Sequence, residues 1–185
     1  MLEQELRLAI RERAYLEGDF TLRSGRRSRF YLDKYRFSTQ PDLLEAIGAR
    51  IAAAVAEVEP RARLLAAPEL GAVPLVAAAS LASRLPFLIV RAEAKGYGTG
   101  NRLEGVFSAG ERVCLVEDVV TSGGAAAEAV AALREAGLEC QTAICVVDRE
   151  EGGADALARV GVRLRPIFCA AEIIGAETAP RDPHG

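Results

Sequence analysis

Two adjacent acids, Glu117 and Asp118, stand inside the segment Val116–Ala125, which reads VEDVVTSGGA. Carboxylates accept hydrogen bonds from hydroxyl groups, so the pair suits ribose hydroxyls, or a hydrated Mg²⁺ carried on a polyphosphate. Val119 and Val120 lead into Thr121, Ser122, Gly123 and Gly124, and an Ala/Val-rich helical run opens at Ala125. Glycine lets the backbone approach a phosphate closely, and a helix N-terminus presents unpaired N–H groups with partial positive charge. The two hydroxyls add donors. The expected ligand is a phosphorylated ribose, its phosphate held almost wholly by neutral groups. A plain helix cap would use the same Thr or Ser but has no need of an acid pair after an apolar strand. No Lys follows the glycines, which excludes the P-loop of nucleoside triphosphatases.

Four other segments carry groups suited to an anionic substrate. Arg91–Gly105 combines Arg91, Lys95 and Arg102 with Gly96, Gly98, Gly100 and Gly105. A mobile cationic loop of this kind suits a lid over pyrophosphate, the alternative being a solvated surface loop. Phe20–Asp33, FTLRSGRRSRFYLD, pairs cations with aromatic rings, which suits a flat carboxylate, or an ordinary edge hairpin with surface arginines. Arg149 follows an apolar strand, and Pro68–Pro74 forms a loop after an earlier one.

VEDVVTSGGA resembles the phosphoribosyl pyrophosphate (PRPP) signature of the type I phosphoribosyltransferases. The resemblance implies that Thr121 to Ala125 hold the 5′-phosphate, with Val119 and Val120 leading in, and that Glu117 and Asp118 face the ribose. FTLRSGRRSRFYLD resembles the N-terminal hood of the orotate-specific branch, which implies Arg23 and Tyr31 at the base, with Thr121 and Arg149. RAEAKGYG resembles that branch's catalytic loop, which implies that Arg91, Lys95 and Tyr97 contact PRPP and that Lys95 is catalytic beside Glu117 and Asp118. Ala92 stands where Lys is usual, and Tyr97 where His is. Glu69, Leu70 and Gly71 resemble the pyrophosphate loop, with Leu70 where Lys is frequent. The resemblance spans residues 15 to 175. It further implies Mg²⁺ carried by PRPP, and a homodimer whose lid loop serves the neighbouring subunit. Transfer to another base, or a nucleotide-sensing regulator of the same fold, remains open at this point; Ala92 and Leu70 favour the regulator.

The elements that must position these groups alternate. Helices are expected over Glu3–Glu17, from Pro41 to about Glu57, and over Ala72–Arg84, Gly124–Ala136 and Ala154–Val160. Strands are expected over Phe20–Arg23, Phe30–Asp33, Arg63–Ala67, Phe87–Arg91, Val113–Glu117, Gln141–Val147 and Leu164–Cys169. Such alternation predicts an α/β domain, a central parallel sheet covered by helices on both faces, as in the type I phosphoribosyltransferase fold. The first two strands form a small hood over residues 1–36, the core spans 41–175, and 177–185 read as a frayed tail.

The bulk properties agree. A chain of 185 residues that is 50% hydrophobic can bury a sizeable core in one domain. A net charge of −3 argues against a nucleic-acid binder. Cys114, Cys140, Cys145 and Cys169 lie in or beside apolar runs without a CxxC spacing, as expected of buried reduced thiols in a cytoplasmic protein. The charged N-terminus is unlike a signal peptide, and no apolar run reaches the roughly 18 residues of a membrane helix.

Overall fold

The structure, a computed structural model, describes residues 1–21, 25, 27–92 and 102–175. Helix α1 (Glu3–Ala14) buries Leu6, Ile10 and Ala14 along one stripe and passes directly into a hairpin, β1 (Tyr15–Thr21) and β2 (Arg27–Leu32). A short α2 (Tyr35–Ser38) leads to α3 (Pro41–Val58), whose Pro41 occupies the first turn, where its missing N–H costs nothing. Leu43, Ile47, Ile51 and Val55 recur every fourth residue on its buried face.

The remaining elements are β3 (Leu64–Pro68), α4 (Val73–Ser83), β4 (Phe87–Val90), β5 (Leu103–Glu104), β6 (Arg112–Val120), α5 (Gly124–Glu135), β7 (Glu139–Asp148), α6 (Gly153–Arg159), β8 (Arg163–Cys169) and α7 (Ala170–Ile174). Strands order as β5-β4-β3-β6-β7-β8, all parallel except the antiparallel β5 at one edge. Alternation along β3 and β6 divides the core. Leu65, Ala67, Cys114 and Val116 pack with α1, α3 and α4, while Leu64, Ala66, Val113 and Leu115 pack with α5 and Leu157 of α6. The chain passes from β3 outward to β4 on one side and from β6 outward to β7 on the other. The C-terminal ends of β3 and β6 therefore flank a topological switch point, where open α/β sheets bind ligands.

Several boundaries differ from expectation. Helix α1 stops at Ala14 rather than Glu17, because Tyr15 and Leu16 pair with Leu32 and Tyr31 in the hairpin. Strand β6 runs on to Val120, so the acid pair lies within the strand. Helices α2 and α7 and strand β5 are too short for a periodic signature. All four cysteines are free; Cys114, Cys140 and Cys145 are buried, whereas Cys169 is half-buried. Burial pushes the Cys140 thiol up to about 11, which keeps it protonated. Among the described residues no helix is long and apolar enough to cross a membrane.

Candidate active site

The acid pair sits at the C-terminal end of β6, and its two members point apart. Successive strand residues face opposite sides, so Glu117 shares the side of Cys145, its register partner on β7, while Asp118 faces the other way. Both are buried. Asp118 is fully engaged: Val119 N donates to Oδ1 at 2.6 Å, and the Lys34 ammonium lies 2.8 Å from Oδ2. Burial pushes the Glu117 carboxyl up to about 8, and the neighbouring Asp118 charge adds to the shift, against an opposing pull from Lys34.

Beyond β6 the chain turns through Thr121, Ser122 and Gly123 into α5. Gly123 takes a left-handed φ of 80°, which glycine adopts without strain. The helix begins at Gly124 with no side-chain cap and no acid in its first turn. Thr121 and Ser122 therefore do not serve as helix caps, and both are exposed. The first N–H groups of α5 have no intrahelical partners. The turn thus gathers N–H and hydroxyl donors into a cradle that could accept an anion.

The cradle rests on a neighbouring turn. A side chain at Gly123 would come within 2.8 Å of Gly153 O, and one at Gly153 would overlap Val120 Cγ1 and Thr121 O. Gly153 is a supporting residue that sequence reading passes over, since only the fold places it against Val120 and Thr121. Arg149 N donates to Val120 O at 2.9 Å, a second tie between the two loops.

Across the crevice, Glu69, Leu70 and Gly71 follow β3, with a cis peptide between Glu69 and Leu70. Leu70 is exposed. Gly71 lies against the acid site: a side chain there would overlap Asp118 Oδ2 and stand 2.9 Å from Lys34 Nζ. Glu69 accepts from Ala92 N at 3.0 Å and pairs with Arg91 at 3.8 Å. Arg91 N donates to Arg102 O at 2.8 Å.

The hairpin supplies the third wall. Arg149 is buried, paired with Glu151 at 3.1 Å, and its guanidinium stands 4.9 Å over the Phe30 ring. Phe30 stacks on Tyr15 at 5.7 Å. Tyr31 lies on the opposite face of β2 and packs on Phe20 at 5.5 Å. The structure thus brings Arg149 to Phe30 rather than to Tyr31. Arg23, Lys95 and Tyr97 lie outside the described residues.

Comparison with known proteins gives the family of the chain. No family model matches the chain. Over 158 residues it is 49% identical to the orotate phosphoribosyltransferase of Methanocella arvoryzae, an alignment covering 85% of this chain and 89% of that relative. The chain belongs to the orotate phosphoribosyltransferase family. It is accordingly a pentosyltransferase of pyrimidine biosynthesis. The crystal structure of orotate phosphoribosyltransferase from Aeropyrum pernix superposes with a TM-score of 0.81 at 34% identity, covering 94% of this chain and 96% of that one. The Mycobacterium tuberculosis orotate phosphoribosyltransferase in complex with PRPP superposes at 0.78 with 29% identity, covering 92% and 98%. Both carry the type I phosphoribosyltransferase fold expected from the sequence.

Proposed function

We propose that this chain transfers the 5-phosphoribosyl group of PRPP to orotate, giving orotidine 5′-monophosphate and pyrophosphate. The observation that carries this reading is the juxtaposition, at the switch point of a chain of this family, of an uncapped helix N-terminus with a buried acid pair. On this reading the start of α5, with Thr121, Ser122, Gly123, Gly124 and Ala125, holds the 5′-phosphate. Glu117 and Asp118 accept ribose hydroxyls, and Glu69, Leu70 and Gly71 border the pyrophosphate. Thr121 and Arg149 receive orotate with Arg23, and Phe30, which the Arg149 guanidinium overlies, supplies the ring expected of Tyr31; Arg91, Lys95 and Tyr97 complete the donor site.

The bond from ribose C1 to pyrophosphate breaks as C1 joins the orotate ring nitrogen, whose proton is given up to the departing pyrophosphate or to water. Positive charge builds on the ribose ring and negative charge on the leaving group. The protein's contribution is therefore positional and electrostatic rather than proton transfer by a strong base. Among the described residues no group of three or more His, Cys, Asp or Glu could hold a metal. On this reading Mg²⁺ would arrive on PRPP, and Asp118, whose Oδ2 meets Lys34 at the crevice, would be a carboxylate able to face it. When bound, the ion would supply positive charge to the pyrophosphate.

The same reading makes the chain a cytoplasmic homodimer in which Lys95 serves the neighbouring subunit's pyrophosphate. Free thiols throughout the described residues support a reducing compartment. Lys95→Ala should lower turnover about 10²-fold or more, by comparison with the loss of one transition-state donor. Steady-state kinetics checks this, and near-normal turnover removes Lys95 from the chemistry.

A further inference from the structure

Lys34 belongs to neither the phosphate signature nor the loops expected to surround pyrophosphate, yet it stands in the crevice. It directly precedes α2, and its side chain crosses from the hood segment to Asp118, 84 residues away in sequence. Room for it exists because Gly71 has no side chain; a Cβ there would stand 2.9 Å from both Lys34 Cε and Nζ. Partial burial pulls the ammonium's pKa down, but the hydrogen bond and charge of Asp118, with Tyr35 and Glu117, outweigh it and raise it. The group is charged at neutral pH.

Among the described residues, two other cations near the crevice already face carboxylates. Arg91 pairs with Glu69, and Arg149 with Glu151. Leu70 and Ala92 supply no cation at two positions beside the pyrophosphate site. The Lys34 side chain is 35% exposed, against 5% for its partner, so the lysine is the solvent-accessible end of the pair. A lysine carries three donors on a flexible stem and can exchange one anion for another without losing its charge balance.

The geometry points to Lys34 as a cation of the donor site, an inference that rests on the proposed transfer from PRPP. Without donor, its ammonium neutralises Asp118. With donor bound, it moves to a pyrophosphate oxygen and releases Asp118 Oδ2 to accept a ribose hydroxyl. One residue thereby supplies charge that Leu70 and Ala92 do not, and couples arrival of the leaving group to opening of the ribose acceptor.

Calorimetric titration of the full-length wild type, Lys34→Met and Lys34→Arg with PRPP, pyrophosphate and orotidine 5′-monophosphate tests this. Lys34→Met should weaken PRPP and pyrophosphate about 10- to 100-fold, as expected for a lost charge-assisted hydrogen bond, and leave the nucleotide nearly unchanged. Lys34→Arg should recover part of the loss. Equal weakening of all three ligands would mean that Lys34 merely positions Asp118, and no weakening would remove it from the site; either overturns the inference. Should Lys34→Met fail to fold, Lys34→Arg carries the same comparison: a loss confined to PRPP and pyrophosphate supports the inference, and any other pattern overturns it. Wild-type turnover of orotate is measured alongside. Its absence removes the proposed reaction, while the split between ligands judges Lys34 separately.

Discussion

At the scale of single residues, the acid pair behaves as two different groups. Asp118 is held by Val119 N and Lys34, while Glu117 is buried beside Cys145 with its carboxyl pushed up to about 8. A carboxyl whose pKa is raised on folding favours the fold in its neutral form. That contribution is complete below the ordinary value of 4.5 and is lost as pH climbs through about 8. The ligand-free protein should therefore lose thermal stability over this window more steeply than Glu117→Gln. Melting temperatures across that range check it, and parallel profiles for the two proteins would show that Glu117 does not carry the dependence. The acids and the cradle were legible in the sequence because they are contiguous, and spacing alone relates them. Lys34, the Phe30–Arg149 stack and the Gly123–Gly153 contact were not, because each joins segments that only the tertiary fold brings together.

At the scale of elements, the cradle depends on two loops that touch through glycine backbones. Gly153→Ala would place a methyl where Val120 Cγ1 and Thr121 O already lie. The loop between β6 and α5 must then shift, taking the N–H donors out of register with a phosphate. We expect a KM for PRPP raised about tenfold or more, the order of effect of a displaced positioning group, with the KM for orotate much less changed. Steady-state kinetics with each substrate varied in turn decides it, and an unchanged KM for PRPP would show that the contact does not shape the cradle. The parallel strands and longer helices were legible from apolar runs and 3.6-residue spacing. The exact end of α1 was not, since Tyr15 and Leu16 satisfy a helical stripe and a strand equally well until their partners on β2 are known. Helices of four and five residues, α2 and α7, carry too little pattern to announce themselves.

At the scale of the whole molecule, the sheet order explains why residues from distant segments meet. The switch point between β3 and β6 brings the Glu69–Gly71 loop and the acid pair to one crevice, and the hairpin and α2 close it from the N-terminal side. Two halves of the core, one on each sheet face, fix that crevice from below. The proposed sharing of Lys95 requires two copies, so light scattering on the purified protein should return the mass of a dimer; a monomer that turns over at full rate would contradict the sharing. The most direct test of the central claim is a steady-state assay with orotate, PRPP and Mg²⁺, following orotate consumption and pyrophosphate release. Equimolar orotate loss and pyrophosphate release, dependent on PRPP, is the predicted result. Binding of PRPP with no turnover of orotate would contradict it.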